Sequence, residues 1–133
     1  MLKSMLHRPA LLLRWEALFL SIAAIAVYAF SLHGSWSLYL ALFLVPDLGL
    51  LGYVLPQSLR LPTAFAPSLY NALHTYSVPV LLFLVSWHVH ALRAEQIAAI
   101  WISHIAVDRA LGFGLKFPDS FRKTHLQVLE REG

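Results

Sequence analysis

The sequence contains no cysteine and very little charge, with Asp, Glu, Lys and Arg making up 13% of its 133 residues. The missing cysteine excludes disulfides, thiolate metal ligands and a cysteine nucleophile, and it leaves the compartment open. An ordinary soluble domain carries roughly 25% charged residues. Set beside 59% apolar residues, the shortage of charge excludes a typical soluble surface and marks a single small membrane domain. Internal repeats and low-complexity segments are also lacking.

Crossing a hydrocarbon core takes about 20 helical residues, and four stretches offer that length: 10–32, 36–55, 70–89 and 95–111. The first follows a basic start and no small-residue cleavage site accompanies it, so it reads as a retained span and not a signal peptide. The fourth is short and polar, with its charges at its ends. His33-Gly34-Ser35 makes a tight turn, whereas Pro56 to Pro67, with three prolines, makes a longer loop. Lys3, Arg8 and Arg14 flank the first span, and Arg109, Lys116, Arg122 and Lys123 follow the fourth. The positive-inside rule then puts both termini and the proline loop in the cytoplasm. The expected fold is all-α, an integral membrane four-helix bundle. Residues 112–133 form an amphipathic cytoplasmic tail lying on the interface through Phe117, Phe121, Leu126 and Leu129.

Ionisable residues inside apolar spans cost about 2.5–3.5 kcal/mol each and normally face partners within a bundle. His104 and Asp108, four residues apart, share one helix face with Trp101 and Ile97. Glu16 falls roughly 9 Å and Asp47 roughly 13 Å from the cytoplasmic ends of their spans at helical rise. Asp47 follows Pro46, whose ring frees a backbone carbonyl one turn earlier. His74 shares a face with Asn71 and Thr75. Four spans thus each place an acid or a histidine in the cytoplasmic half, which predicts one polar cluster of Glu16, Asp47, Asn71, His74, His104 and Asp108. His125 on the tail is expected to fold back over its open end. Plainer roles stay open: Glu16 snorkelling to water, Asp108 paired with Arg109, Asp47 satisfying a kinked backbone, each histidine a hydrogen-bonded core residue.

Carboxylates and imidazoles without thiolates suit zinc, manganese or iron. A divalent ion would also offset the repulsion among buried acids. The leading expectation is therefore a membrane-embedded enzyme with Glu16, Asp47, His74, His104, Asp108 and His125 as metal ligands. The first five also serve as acid-base groups in hydrolysis of a lipid-like or amphiphilic substrate. Asn71 and Thr75 would orient the cluster, and Arg109 and Lys116 would hold an anionic group. A metal-free alternative has the same carboxylates and histidines cyclise or isomerise an apolar isoprenoid or lipid by acid-base chemistry. A non-catalytic alternative is a scaffold, assembly subunit or proton path. The expected partners are the bilayer and the small-molecule substrate, with no nucleic acid.

Arg14-x-Glu16, Pro46-Asp47 with Gly52-Tyr53, Tyr70-Asn71 with His74-Thr75, and Trp101-x-x-His104-x-x-x-Asp108-Arg109 occur in that order. Gly112-x-Gly114-Leu115-Lys116 and Phe121-x-x-Thr124-His125-Leu126 continue the series. The combination resembles an uncharacterised family of small bacterial integral membrane proteins, a domain of unknown function, across about Arg14 to Leu126. The resemblance implies a four-helix membrane fold in the plasma (inner) membrane and no activity. The loop from Pro56 to Pro67 is richer in proline and leucine than that family's glycine-rich connection.

Overall fold

The computed structural model describes residues 8–50, 65–117, 120–124, 126 and 128. Gly52-Tyr53, His125 and most of the proline loop, which figure in the sequence reading, lie outside them. The chain is helical over most of this length. Helix α1 (Pro9–Ala26) runs into a π-helical segment, Val27–Ser31. Helix α2 (Trp36–Phe43) gives way to a 3₁₀ segment, Val45–Leu50. Helices α3 (Phe65–Leu73) and α4 (Ser77–His88) follow, then α5 (Leu92–Ala110).

Helix α5 is the axis of the molecule. Helix α1 packs along it most extensively, α4 next and α2 at one end. The residues that α1 buries are Ala10, Ala17, Ser21 and Ala24, with Tyr28 beyond them in the π segment. Small residues at such spacing let two helix backbones approach closely, as they do in lipid, where association relies on close packing and hydrogen bonds. Helix α5 answers with buried Ala98, Ala99, Ser103 and Ala106. The large side chains point the other way: Phe19 is 68% and Phe30 78% exposed, while Glu95, Gln96, Ser103 and His104 are buried. Large apolar side chains are thus widely exposed, around a core that holds both apolar and polar residues. One helix, Pro9–Ser31 with 23 residues, is long and apolar enough to cross a membrane.

The boundaries differ from the four uninterrupted spans expected. The second stretch is α-helical only to Phe43, because Pro46 cannot donate to a helical ladder and Asp47 bonds back to Leu44 in a tighter turn. The third is two helices. Pro79 offers no N–H to the Thr75 carbonyl four residues earlier, so α4 starts afresh after a break at His74–Tyr76. The fourth is polar yet largely buried against the rest of the protein.

Helix α5 ends in a Schellman motif. Gly112 N–H bonds to the Arg109 carbonyl and Phe113 N–H to that of Asp108, with Gly112 at φ +93°. The Arg14 Nε adds a bond to the Ala110 carbonyl, tying α1 to this end. An L side chain is strained at that φ, so Gly112→Ala is expected to cost about 1 kcal/mol of stability, read by thermal unfolding in detergent. Part of the tail expected to be amphipathic forms a short hairpin. Strand β1 (Lys116–Phe117) pairs antiparallel with β2 (Ser120–Thr124). Leu126 is buried, and with Leu13, Ala17 and Leu20 of α1 it lines one cavity.

Candidate metal centre

The interruptions in the helices are where the polar groups sit. Asp47 belongs to the 3₁₀ segment and His74 to the break between α3 and α4, while His104 and Asp108 come from adjacent turns of α5. Irregular backbone at depth is tolerated where it lines a polar site inside the protein. The free carbonyls at the end of α3 are taken up locally. The Thr75 hydroxyl donates to the Asn71 carbonyl at 2.6 Å, and the Trp101 indole N–H to that of Leu73 at 2.6 Å.

These elements bring four side chains to one point. The Nε2 atoms of His74 and His104 are 3.2 Å apart. Asp47 Oδ1 lies 3.3 Å from the first and 3.6 Å from the second; Asp108 Oδ2 lies 3.3 and 3.5 Å from them. One donor atom from each residue lies within 4.8 Å of the other three. A tetrahedral ion with bonds of about 2.0–2.1 Å holds its ligand atoms roughly 3.3–3.4 Å apart. Five of the six edges, 3.2–3.6 Å, lie close to that spacing and the whole set lies within 4.8 Å, so the four donors could close on one small divalent ion by drawing inward.

Hydrogen bonding sets the His74 tautomer. His74 Nδ1 is 2.9 Å from the Tyr70 carbonyl. A carbonyl only accepts, so Nδ1 carries the proton and the Nε2 lone pair faces the cluster, as in a metal-binding histidine. His104 turns its Nε2 toward the same point. Its ring is buried beside the Phe43 backbone, and its Nδ1 makes no well-formed hydrogen bond among the described residues. A divalent ion would draw both rings onto itself. The histidines are 4% and 1% exposed, against 33% and 20% for the side chains of Asp47 and Asp108. The carboxylates therefore form the wetter side.

Rings hold the site rigid. Tyr70 stacks on His74 at 3.8 Å, and Phe43 packs edge-on to His104 at 5.0 Å. From Phe43 a column of rings continues through Tyr39 and Tyr28 to Trp36. Tyr39 also meets Ser103, the residue before His104 on α5, at 2.9 Å.

The other expected site residues take different places. Asn71 does not reach the cluster. It clamps Lys116, receiving that residue's N–H at 2.7 Å and donating to its carbonyl at 2.9 Å. Thr75 likewise serves the backbone. The Lys116 ammonium lies 4.9 Å above the Tyr70 ring. Burial lowers its pKa from the usual lysine value, and attraction to Asp47 and Asp108 opposes that shift. Arg109 donates to the His74 carbonyl at 3.5 Å and lies over the Tyr76 ring. Glu16 is exposed and lines a separate cavity with Tyr76 and Arg109. Sequence reasoning passed over Tyr76, whose buried hydroxyl has no hydrogen-bond partner among the described residues. Its position directly after His74-Thr75, at a helix break, was the available signal.

A helical protein with a pair of histidines and a pair of aspartates converging inside an apolar exterior is the class that these observations define. The family model described as "Domain of unknown function (DUF4260)" matches residues 10–129, and the chain belongs to that family. No curated protein and no solved structure matches it.

Proposed function

We propose that Asp47, His74, His104 and Asp108 bind one divalent metal ion and that this centre hydrolyses an amphiphilic substrate at the membrane. The observation that carries the reading is the set of four donor atoms within 4.8 Å, two of them imidazole nitrogens. Zinc, manganese and iron all suit that ligand set. The bound ion would lower the pKa of a coordinated water and polarise the bond to be broken.

The residues then divide the work. His74 and His104, buried and held by rings, anchor the ion. Asp47, the more exposed carboxylate, would give up its place on the ion to water and then accept a proton from that water. The water oxygen bonds to the acyl or phosphoryl centre, and the departing ester oxygen takes up the proton from Asp47. A narrow cleft of about 10 Å³ lined by Tyr70, His74, Asp108 and Arg109 has room for that one water beside the cluster.

The surroundings of this centre are a bundle of four membrane-embedded segments, two of them broken. The exposed apolar side chains of α1, α2 and α4 support that arrangement. Basic residues beyond α5 support a cytoplasmic placement of the site and of both termini.

Elemental analysis of the full chain, purified in detergent without added chelator, tests the reading. One zinc, manganese or iron per chain is expected, released by a strong chelator and restored on re-addition. Protein that carries no such metal and takes none up at neutral pH would overturn it.

A further inference from the structure

The cavity that Glu16 lines lies beside the four-residue cluster and shares Arg109 with the cleft next to His74 and Asp108. Its volume is about 130 Å³. Leu13 and Leu20 of α1 form an apolar wall and are themselves 41% and 39% exposed, so the wall continues onto the outer surface of the helix.

The polar groups of this cavity are not spent on one another. Glu16 and Arg109 carry opposite charges on its lining, yet no ion pair joins them. Arg109 uses one of its five donors, in the 3.5 Å bond to the His74 carbonyl, and lies 4.5 Å from the centre of the Tyr76 ring. Two unlike charges held apart on one lining, with an apolar wall beside them, suit an amphiphilic ligand carrying both signs.

We propose that this cavity binds a phospholipid headgroup bearing a primary amine, with the phosphate on Arg109 and the ammonium on Glu16. A guanidinium matches phosphate oxygens in a two-point contact. The acyl chains follow Leu13 and Leu20 outward. Because Arg109 borders both spaces, a phosphate seated there brings its ester bonds to the approach of the cluster. What happens to the bound lipid rests on the metal-centre reading; its recognition does not.

Native mass spectrometry of the full chain in detergent, titrated with phosphatidylethanolamine, phosphatidylglycerol or O-phosphoethanolamine, tests the assignment. Phosphatidylethanolamine is expected to bind about tenfold more tightly than phosphatidylglycerol. Glu16→Gln, a change at an exposed position, should bring the two lipids within about twofold of each other, and Arg109→Gln should weaken both by about tenfold. Equal binding of the two lipids by the unaltered protein, or a preference that survives Glu16→Gln, overturns the proposal. O-phosphoethanolamine binding as tightly as the lipid would assign the site to a free headgroup and overturn the lipid. His104→Ala separates the two readings. Metal lost with the lipid preference kept upholds this site, whereas a metal-loaded protein indifferent to the amine removes it and leaves the metal centre standing.

Discussion

His104→Ala is expected to lower metal affinity at least 100-fold, about the upper end of what losing even an outer-shell partner costs a metal site. His104 lies on the central helix at 1% exposure, and its Nε2 is one of only two nitrogen donors in the cluster. Removing it leaves His74 and two carboxylates, a set better suited to hard ions than to zinc. His74→Ala should match it. Asp47→Asn should cost less, because a 33% exposed side chain is more easily replaced by water. Metal content after dialysis against a graded chelator reads the series, and His104→Asn guards against a loss caused only by the cavity that alanine leaves. Glu16→Gln should retain the full metal complement, since Glu16 sits in the neighbouring cavity. A Glu16 variant that lost its metal would restore the wider six-residue cluster and undo the geometry described here.

The second large effect is on stability. Gly34→Ala is expected to destabilise the protein by about 1–3 kcal/mol, the range for inserting atoms into a packed core. A methyl group at Gly34 would overlap the ring of Tyr28. Tyr28 cannot yield easily. It is fully buried, its hydroxyl donates to the Ser35 carbonyl at 2.6 Å, and Trp36 and Tyr39 pack around it. The same substitution in a Tyr28→Ala background should cost far less, because the colliding ring is gone. Chemical or thermal denaturation in micelles of the two single variants and the double variant closes the cycle. Additive losses would show that the turn itself, and not the ring, demands glycine.

Much of the cluster was legible because charge is so scarce in this chain. Asp47, His74, His104 and Asp108 stand out in apolar surroundings, and the four-residue spacing on α5 already put two of them together. Glu16 misled for the same reason. A carboxylate near the end of an apolar helix reads alike whether it turns inward or outward, and periodicity along α1 does not separate the faces when the buried one is alanine and serine. The first helix was plain from length and hydropathy. The broken ones were harder, since an apolar run of some 20 residues looks continuous unless Pro79 is given its full weight as an interruption. Helix α5 looked too polar for a span because composition cannot tell a helix wrapped by other helices from one that meets solvent. The pairing of β1 with β2 left no alternating pattern long enough to see.

The placement of the ligands on interrupted segments bears on how the protein is made. Asp47 leaves the ribosome first, His74 some 27 residues later, and His104 with Asp108 after a further 30. Until that last helix joins its predecessors, Asp47 and His74 have only each other within the cluster. Capture of an ion at the proposed centre would then be the closing act of biogenesis, stapling together three separate pieces of chain.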